Sequence, residues 1–549
     1  MELHARVRPN IILILVDDMG FADLGITGSE IRTPNLDALA QQGVLCSAMY
    51  NCARCCPSRA ALLTGLYPHR AGVGHMTANL GIPAYQGSLR NESATVAEVL
   101  KENGYRTLMA GKWHIGGEYY ARHTHEWTPG APGFPTPRKR GFDRYYGIID
   151  GVTHFFSPHY VMEDDSRVEV TEDEYYFTDA MTNKAIGMIE ESVNEGMPFF
   201  LYLAHPAPHW PLHAYEEDIA RYDGVYIPGW DAIRTARHEE MNGRGVLQQA
   251  WDISPRDDAA PPWNQIENQA WEARRMAVYA AMVDRMDQSI GRLLNRLKEL
   301  EEYHNTLILF LSDNGGCAEF MAEDGWAKFM PETTHDGRQI QMGNRVDIQA
   351  GGPLTYMSYD LPWANVSNAP FRLFKHWVHE GGISTPLIAH WPARLQAPGI
   401  QHEPCHLIDI LPTILEATGT TYPGERNDSN RSDGKSTSYE LPQLDGESLL
   451  PLLQGDPWRR QQPICWEHEG NCAIRLDNFK VVRKFNQPWE LYDMENDRTE
   501  LNDLCNQYRQ VTHRLTREYD RWAESVGVVD WAEMLPRLQA IWQMSDIHG

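Results

Sequence analysis

Along the first half of the chain, short unbroken apolar runs alternate with segments whose apolar residues recur every three or four positions. Residues 11–16 (IILILV) form such a run, the pattern of a strand buried on both faces. The signal returns at residues 105–110, 199–204, 306–311 and 386–390. Between these runs lie helical patterns. Thr33-Pro34 opens a short one, with Thr33 as its cap and Pro34 at its first position. Residues 95–103 form another, closed by Gly104, and others fall near 180–191 and 407–417. The strongest spans 273–300, where Met276, Tyr279, Val283, Met286, Ile290, Leu293 and Leu297 recur at helical steps. Strands alternating with helices predict an α/β fold, a large mostly parallel mixed sheet sandwiched by helices.

After Pro457 the pattern changes. Residues 472–476, 480–484 and 490–492 read as short antiparallel strands separated by polar turns, with a terminal helix from about 501 to 525. This predicts a larger domain over residues 1–455 and a smaller C-terminal α+β domain, containing an antiparallel sheet, over 456–549. Residues 424–438 are almost wholly polar and read as a solvated loop.

The chain has 549 residues, 42% of them hydrophobic, enough for one large core and a smaller one. No apolar run approaches the roughly 18 residues of a membrane span. A formal charge of −26 argues against nucleic acid or an anionic membrane as partner. An anionic substrate would need cations gathered at one place. The polar start, residues 1–8, lacks the layout of a signal peptide. The expectation is a cytoplasmic protein if Met1 is the native start, and a periplasmic or secreted one if a signal was removed.

Nine cysteines are few for the length and odd in number, which does not suggest a disulfide scaffold, although it leaves room for a single bridge such as Cys465–Cys472. Cys52 and Cys55 have CxxC spacing, but no second pair completes a zinc site.

Candidate chemistry sits at the ends of the predicted strands, where doubly wound sheets bind ligands. Asp17-Asp18 follow the first run, Lys112 and His114 the run at 105–110, His209 the run at 199–204, and Asp313-Asn314 the run at 306–311. Adjacent carboxylates often only cap a helix, but two acidic turns after two buried strands suggest a metal. Asp17, Asp18, Asp313 and Asn314 offer only oxygen, which suits calcium best, one ion per chain, with magnesium as the alternative. Cys55 and Arg59 lie in Cys55-Cys56-Pro57-Ser58-Arg59, where Pro57 places Cys55 at a helix N-terminus that favours an anion.

The string from Cys55 to Gly65 resembles the sulfatase signature Cys-x-Pro-Ser-Arg followed by Leu-Thr-Gly. Gly111-Lys-Trp-His114, Ala207-Pro-His-Trp-Pro211, Ser312-Asp-Asn-Gly315 and Phe371-Arg-Leu-Phe-Lys375 are similar to that family's other active-site segments, in the same order. Glu490-Leu-Tyr-Asp493 resembles a signature of its small C-terminal domain. The resemblance is to formylglycine-dependent, arylsulfatase-like members of the alkaline phosphatase superfamily.

The resemblance implies that a separate formylglycine-generating enzyme oxidises Cys55 to an aldehyde. Its hydrate attacks sulfur with one hydroxyl and expels sulfate with the other. It further implies calcium on Asp17, Asp18, Asp313 and Asn314, with Arg59 and Lys112 stabilising diol and sulfate oxygens. His114 would be the base that collapses the sulfated intermediate. His209 and Lys375 would bind sulfate, either one protonating the leaving oxygen. His205, His213, His376 and His379 have no assigned role, one or more being expected to line the pocket. The rim is expected from residues 115–140, 210–265 and 318–368. The expected activity is hydrolysis of aryl or carbohydrate sulfate esters. Alternatives are a phosphonate or phosphate ester hydrolase and a non-catalytic binder of sulfated glycans. Neither the natural substrate nor the oligomeric state is legible.

Overall fold

The computed structural model describes residues 8–116, 135–170, 174–323, 332–428 and 437–547. Its main sheet contains β1 (Asn10–Val16), β2 (Val44–Cys46), β3 (Arg106–Lys112), β4 (Arg144–Ile148), β5 (Val161–Glu163), β6 (Ser166–Val168), β7 (Phe199–Ala204), β8 (Thr306–Ser312), β9 (Leu387–His390) and β10 (Gly399–Gln401). Their order is β10-β2-β9-β8-β1-β7-β3-β4-β5-β6. The five strands from β8 to β4 run parallel, and antiparallel strands flank them on both sides. The mixed, mostly parallel sheet expected from the sequence is present.

β1 shows why its apolar run is unbroken. Alternate residues of a strand face opposite sides of the sheet, so both sides of this central strand must be apolar. Ile12, Ile14 and Val16 enter one core, with α1 (Pro34–Gln42), α4 (Phe177–Asn194) and α5 (Gln269–Glu299). Ile11, Leu13 and Leu15 enter the other, with α2 (Cys55–Thr64), α3 (Val96–Glu102) and α6 (Ile410–Thr418). All seven recurring apolar residues of α5 are buried.

Local signals are partly obeyed. Helix α3 begins with a capping box, in which Thr95 Oγ1 accepts from the Glu98 amide at 3.1 Å and Glu98 accepts from the Thr95 amide at 2.7 Å. Thr33 does not cap α1. Its hydroxyl is drawn off by the Gly25 amide at 2.8 Å and by Asp37 at 3.0 Å. Residues 424–438 are not all loop, because Glu425–Asp428 and Thr437–Glu440 pair antiparallel. Polar residues along Thr437–Glu440, none of them buried, left no apolar alternation to read.

The C-terminal sheet is a meander of β11 (Ile464–His468), β12 (Asn471–Leu476), β13 (Phe479–Arg483) and β14 (Glu490–Asp493). The terminal helix starts later than expected, as α7 (Arg509–Val526), and Trp531–Ile547 is helical too. No Cys465–Cys472 bridge forms, since both thiols are free. The β11–β12 register sets Cys465 opposite Ile474 and Cys472 opposite Glu467.

A buried charge network ties this sheet to the short helix Glu380–Ile383 beside the large one. Lys480 Nζ lies 2.8 Å from both Glu380 and Glu500, and Arg498 Nε donates to Glu380 at 3.0 Å. Among the described residues, no helix is long and apolar enough to cross a membrane.

Candidate active site

Parallel strands ending side by side bring distant residues of the sequence together. Asp17 and Asp18 follow β1, Lys112 ends β3, His209 follows β7, and Asp313 and Asn314 follow β8. β1 and β8 are in register, Val16 opposite Ser312, which sets the two acidic turns beside each other. The Asp18 amide lies 3.3 Å from Asp313 Oδ1. Asp18 and His114 both have positive φ, +65° and +55°, as tight turns off strand ends require.

Helix α2 brings its first residue, Cys55, to this cluster, with Sγ 3.6 Å from Asp17 Oδ1. Burial, only partly offset by Lys112 and Lys375, pushes the Cys55 thiol well above its ordinary range. An unmodified thiol there stays protonated and is a poor nucleophile.

One turn along α2, Arg59 donates to Asp313 Oδ2 from Nε at 3.0 Å and from Nη2 at 2.7 Å. Its Nη1 holds the Lys112 carbonyl at 3.0 Å, and Nη2 lies 3.4 Å from Asp17. Lys112 Nζ donates to Asp17. Lys375 Nζ sits 2.9 Å from Asp18 and 3.3 Å from His209 Nε2. His209 Nδ1 is anchored 2.6 Å from the Trp210 carbonyl. The residues predicted at this site are therefore gathered in one place. His114 stands at the edge, its Nδ1 buried and without a hydrogen-bond partner. Burial, then Lys112 and Arg59, depress its pKa well below the usual value, so the imidazole is neutral.

The carboxylates feel one another. Burial first, then the charge of Asp17, raises Asp313 despite Arg59. Burial would raise Asp17 as well, but Lys112, His209 and Arg59 together hold it well below the carboxylate range. Asn314 Nδ2 donates to Asp18 at 2.7 Å, while its Oδ1 is buried with no donor. Crowded carboxylates and an orphaned amide oxygen fit a cation held by Asp17, Asp18, Asp313 and Asn314. A donor atom from each of Asp17, Asp18, Cys55 and His209 also falls within 4.8 Å of the others. His209 is the weaker candidate ligand, because its Nε2 faces the Lys375 ammonium.

Residues 9–420 match the Sulfatase family. The chain belongs to the sulfatase family. It is 34% identical over 429 residues to an arylsulfatase of Klebsiella aerogenes, covering 75% of this chain and 87% of the relative. An uncharacterized sulfatase of Schizosaccharomyces pombe is 30% identical, covering 95% of this chain and 94% of the relative. Among solved structures, Ps i-CgsB in complex with k-i-k-neocarrahexaose superposes with a TM-score of 0.65 at 27% identity, over 94% of this chain and 93% of that one. The sulfatase is accordingly an enzyme that hydrolyses sulfate esters, and a metal ion and a cysteine-derived formylglycine go with the family.

The four unassigned histidines divide. In the sulfatase fold His213 is structural, with Nε2 2.7 Å from the Thr355 carbonyl. His205 is fully buried, and its charged neighbours Arg292 and Asp179 lie on α5 and α4. His379 faces Glu490 at 3.4 Å. His376, next to Lys375, turns to a different cluster. Of the expected rim, residues 117–134 and 324–331 lie outside the described residues. Sequence reading missed Arg54 and Glu319. Arg54 pairs with Glu319 at 3.0 Å, and Glu319 approaches Lys375 at 4.0 Å. Trp210 Nε1 also donates to Glu319, at 2.9 Å. No motif marks Glu319, although it lies only five residues beyond Asn314.

Proposed function

We propose that this sulfatase cleaves carbohydrate sulfate esters, with residue 55 as nucleophile and calcium on Asp17, Asp18, Asp313 and Asn314. The observation that carries the reading is the position of Cys55. It begins a buried helix against Asp17, inside a ring formed by Arg59, Lys112 and Lys375. Three carboxylates face one guanidinium and two ammonium groups there, so a divalent ion would leave the pocket net positive and suited to sulfate. The oxygen-only ligands favour calcium over zinc, and their mixed carboxylate–amide set favours it over magnesium. The 27% identity to a protein solved with k-i-k-neocarrahexaose supports a sugar as the alcohol.

Once oxidised by a maturation enzyme and hydrated, residue 55 supplies the attacking oxygen. A metal held by Asp17, Asp18, Asp313 and Asn314 would supply Lewis-acid polarisation of a sulfate oxygen. The chain's own groups do the rest. Arg59 fixes Asp313 and Asp17, and Lys112 offers its ammonium beside the nucleophile. Asp313, whose pKa is raised, can accept the nucleophile's proton. His209 and Lys375, in contact with each other, bind sulfate and can protonate the leaving oxygen. His114, neutral, is the base that collapses the sulfated intermediate.

Peptide mass spectrometry of the matured protein should show CH2–SH replaced by CHO at position 55. Nitrophenyl sulfate should be cleaved with higher kcat/KM than nitrophenyl phosphate, and carrageenan oligosaccharides should release sulfate. A Cys55→Ala protein that kept full hydrolytic activity would overturn the nucleophile. A clear preference for phosphate would overturn the ester class.

A further inference from the structure

A second cluster of ligand-type side chains lies where the C-terminal sheet meets the large domain. His468 ends β11, and Glu469 sits in the turn into β12. His376 comes from the loop after Lys375, and His75 from the segment after the short helix Pro68–Ala71. Donor atoms of His376, His468 and Glu469 all lie within 4.8 Å of one another. His75 Nε2 hydrogen-bonds Glu469 Oε1 at 2.7 Å, and its ring stacks on His468 at 5.7 Å.

Three observations separate this group from an ordinary hydrogen-bonded cluster. First, His468 is fully buried, yet neither ring nitrogen has a hydrogen-bond partner. An imidazole with both nitrogens unsatisfied is costly unless something binds it. Second, His376 Nδ1 lies 3.5 Å from Glu469 Oε2, and His468 Nε2 lies 3.8 Å from Oε1. These separations are too long for hydrogen bonds. They are close to the edge of a ligand tetrahedron, about 3.4 Å for metal–ligand bonds of about 2.0–2.1 Å. Third, His376 has a left-handed backbone at φ +90°, whereas the φ of +51° at Glu469 belongs to the two-residue hairpin turn it forms with Gly470. A β-branch-free but bulky residue at φ +90° is strained, and such strain persists where surrounding structure and function demand it.

We propose that His376, His468 and Glu469, with His75 behind Glu469, form a second metal site that takes zinc or a similar borderline divalent cation and straps the C-terminal sheet to the large domain. Two imidazoles and a carboxylate are zinc-type ligands, in contrast to the oxygen set at Asp17. His376 and Glu469 are each 28% exposed, which gives the ion a path in. Asn471 Nδ2 lies 3.3 Å from His376 Nε2, so without a metal the Nδ1 proton points at Glu469. Metal binding at Nδ1 releases that proton to solvent. Because the ligands come from separate parts of the chain, bound zinc stabilises their mutual placement.

The test uses full-length protein saturated with calcium, so that the oxygen cluster is occupied, and then titrated with zinc chloride alone. Metal analysis after gel filtration should find one zinc per chain in the wild type. Zinc should raise the wild-type Tm. His376→Gln and His468→Gln should each weaken zinc retention at least about ten-fold and abolish the Tm shift, with calcium content unchanged. His376 is partly exposed, so its variant decides the matter if His468→Gln does not fold. A wild type that retains no zinc overturns the proposal. So does undiminished zinc retention by His376→Gln, which would place the ion elsewhere.

Discussion

Arg59 Nε and Nη2 both donate to a single oxygen of Asp313, at 3.0 and 2.7 Å. The same guanidinium holds the Lys112 carbonyl at 3.0 Å, so one side chain locks a helix, two strand ends and a carboxylate together. A lysine has one nitrogen and cannot reproduce that fork. Arg59→Lys should therefore lower kcat on nitrophenyl sulfate by about 10²–10³-fold while the protein stays folded. An unchanged kcat would show that Asp313 needs no clamp.

Asn314 presents the opposite case, an oxygen with no donor. Its Nδ2 is committed to Asp18, and only a cation would satisfy its buried Oδ1. Asn314→Leu should weaken calcium binding at least about ten-fold, read by titrating the chelated protein back to activity. In the wild type, a calcium chelator should abolish turnover, and calcium should restore it at lower concentration than magnesium. Equal restoration by the two ions would remove the preference for calcium.

Much of this was legible because strands of a parallel sheet place their last residues together. Five apolar runs predicted the strands, and the structure brings the polar residues just beyond four of them together. The helix start at Cys55 was legible from Pro57, and the resemblance to the sulfatase signature singled that cysteine out. What was not legible depends on tertiary packing. Thr33 had the right chemistry for a cap but a stronger partner in Asp37. The strand Thr437–Glu440 carries no apolar alternation to announce it. Glu319 acquires meaning only when Arg54 and Lys375 arrive beside it. His75, His376 and His468 lie far apart along the chain and share no motif.

Gly111 shows how tightly the sheet sets the position of Lys112. Its φ is +112°, and a Cβ there would lie 1.9 Å from the Ala204 carbonyl oxygen of the neighbouring strand. Neither atom can move without shifting β3 or β7. Gly111→Ala should cost about 1–3 kcal/mol of stability from overpacking, with backbone strain adding to it. Because the shift passes to Lys112 and His114, kcat should fall even at temperatures where the variant is fully folded. A stable variant with normal kcat would show that the strand end is free to adjust.

The last prediction concerns the network between the C-terminal sheet and the helix Glu380–Ile383. Lys480 is buried between Glu380 and Glu500, at 2.8 Å from each. Lys480→Met would leave two buried carboxylates with too little positive charge, with Arg498 still reaching Glu380 at 3.0 Å. Breaking a buried pair from one side costs about 3–5 kcal/mol, and denaturant unfolding near neutral pH should show that loss. The pH dependence has a definite sign. Burial would raise Glu380, but Lys480 and then Arg498 hold it below the ordinary glutamate range. A folded pKa below the unfolded one means the unfolded chain binds more protons, so stability rises with pH through that window. The contribution is fully present above the unfolded value, about 4.3, and is lost as pH falls through the folded value. Wild type should therefore lose more stability than Lys480→Met on acidification below that point. Parallel losses in the two proteins would mean that Glu380 is not the group being protonated.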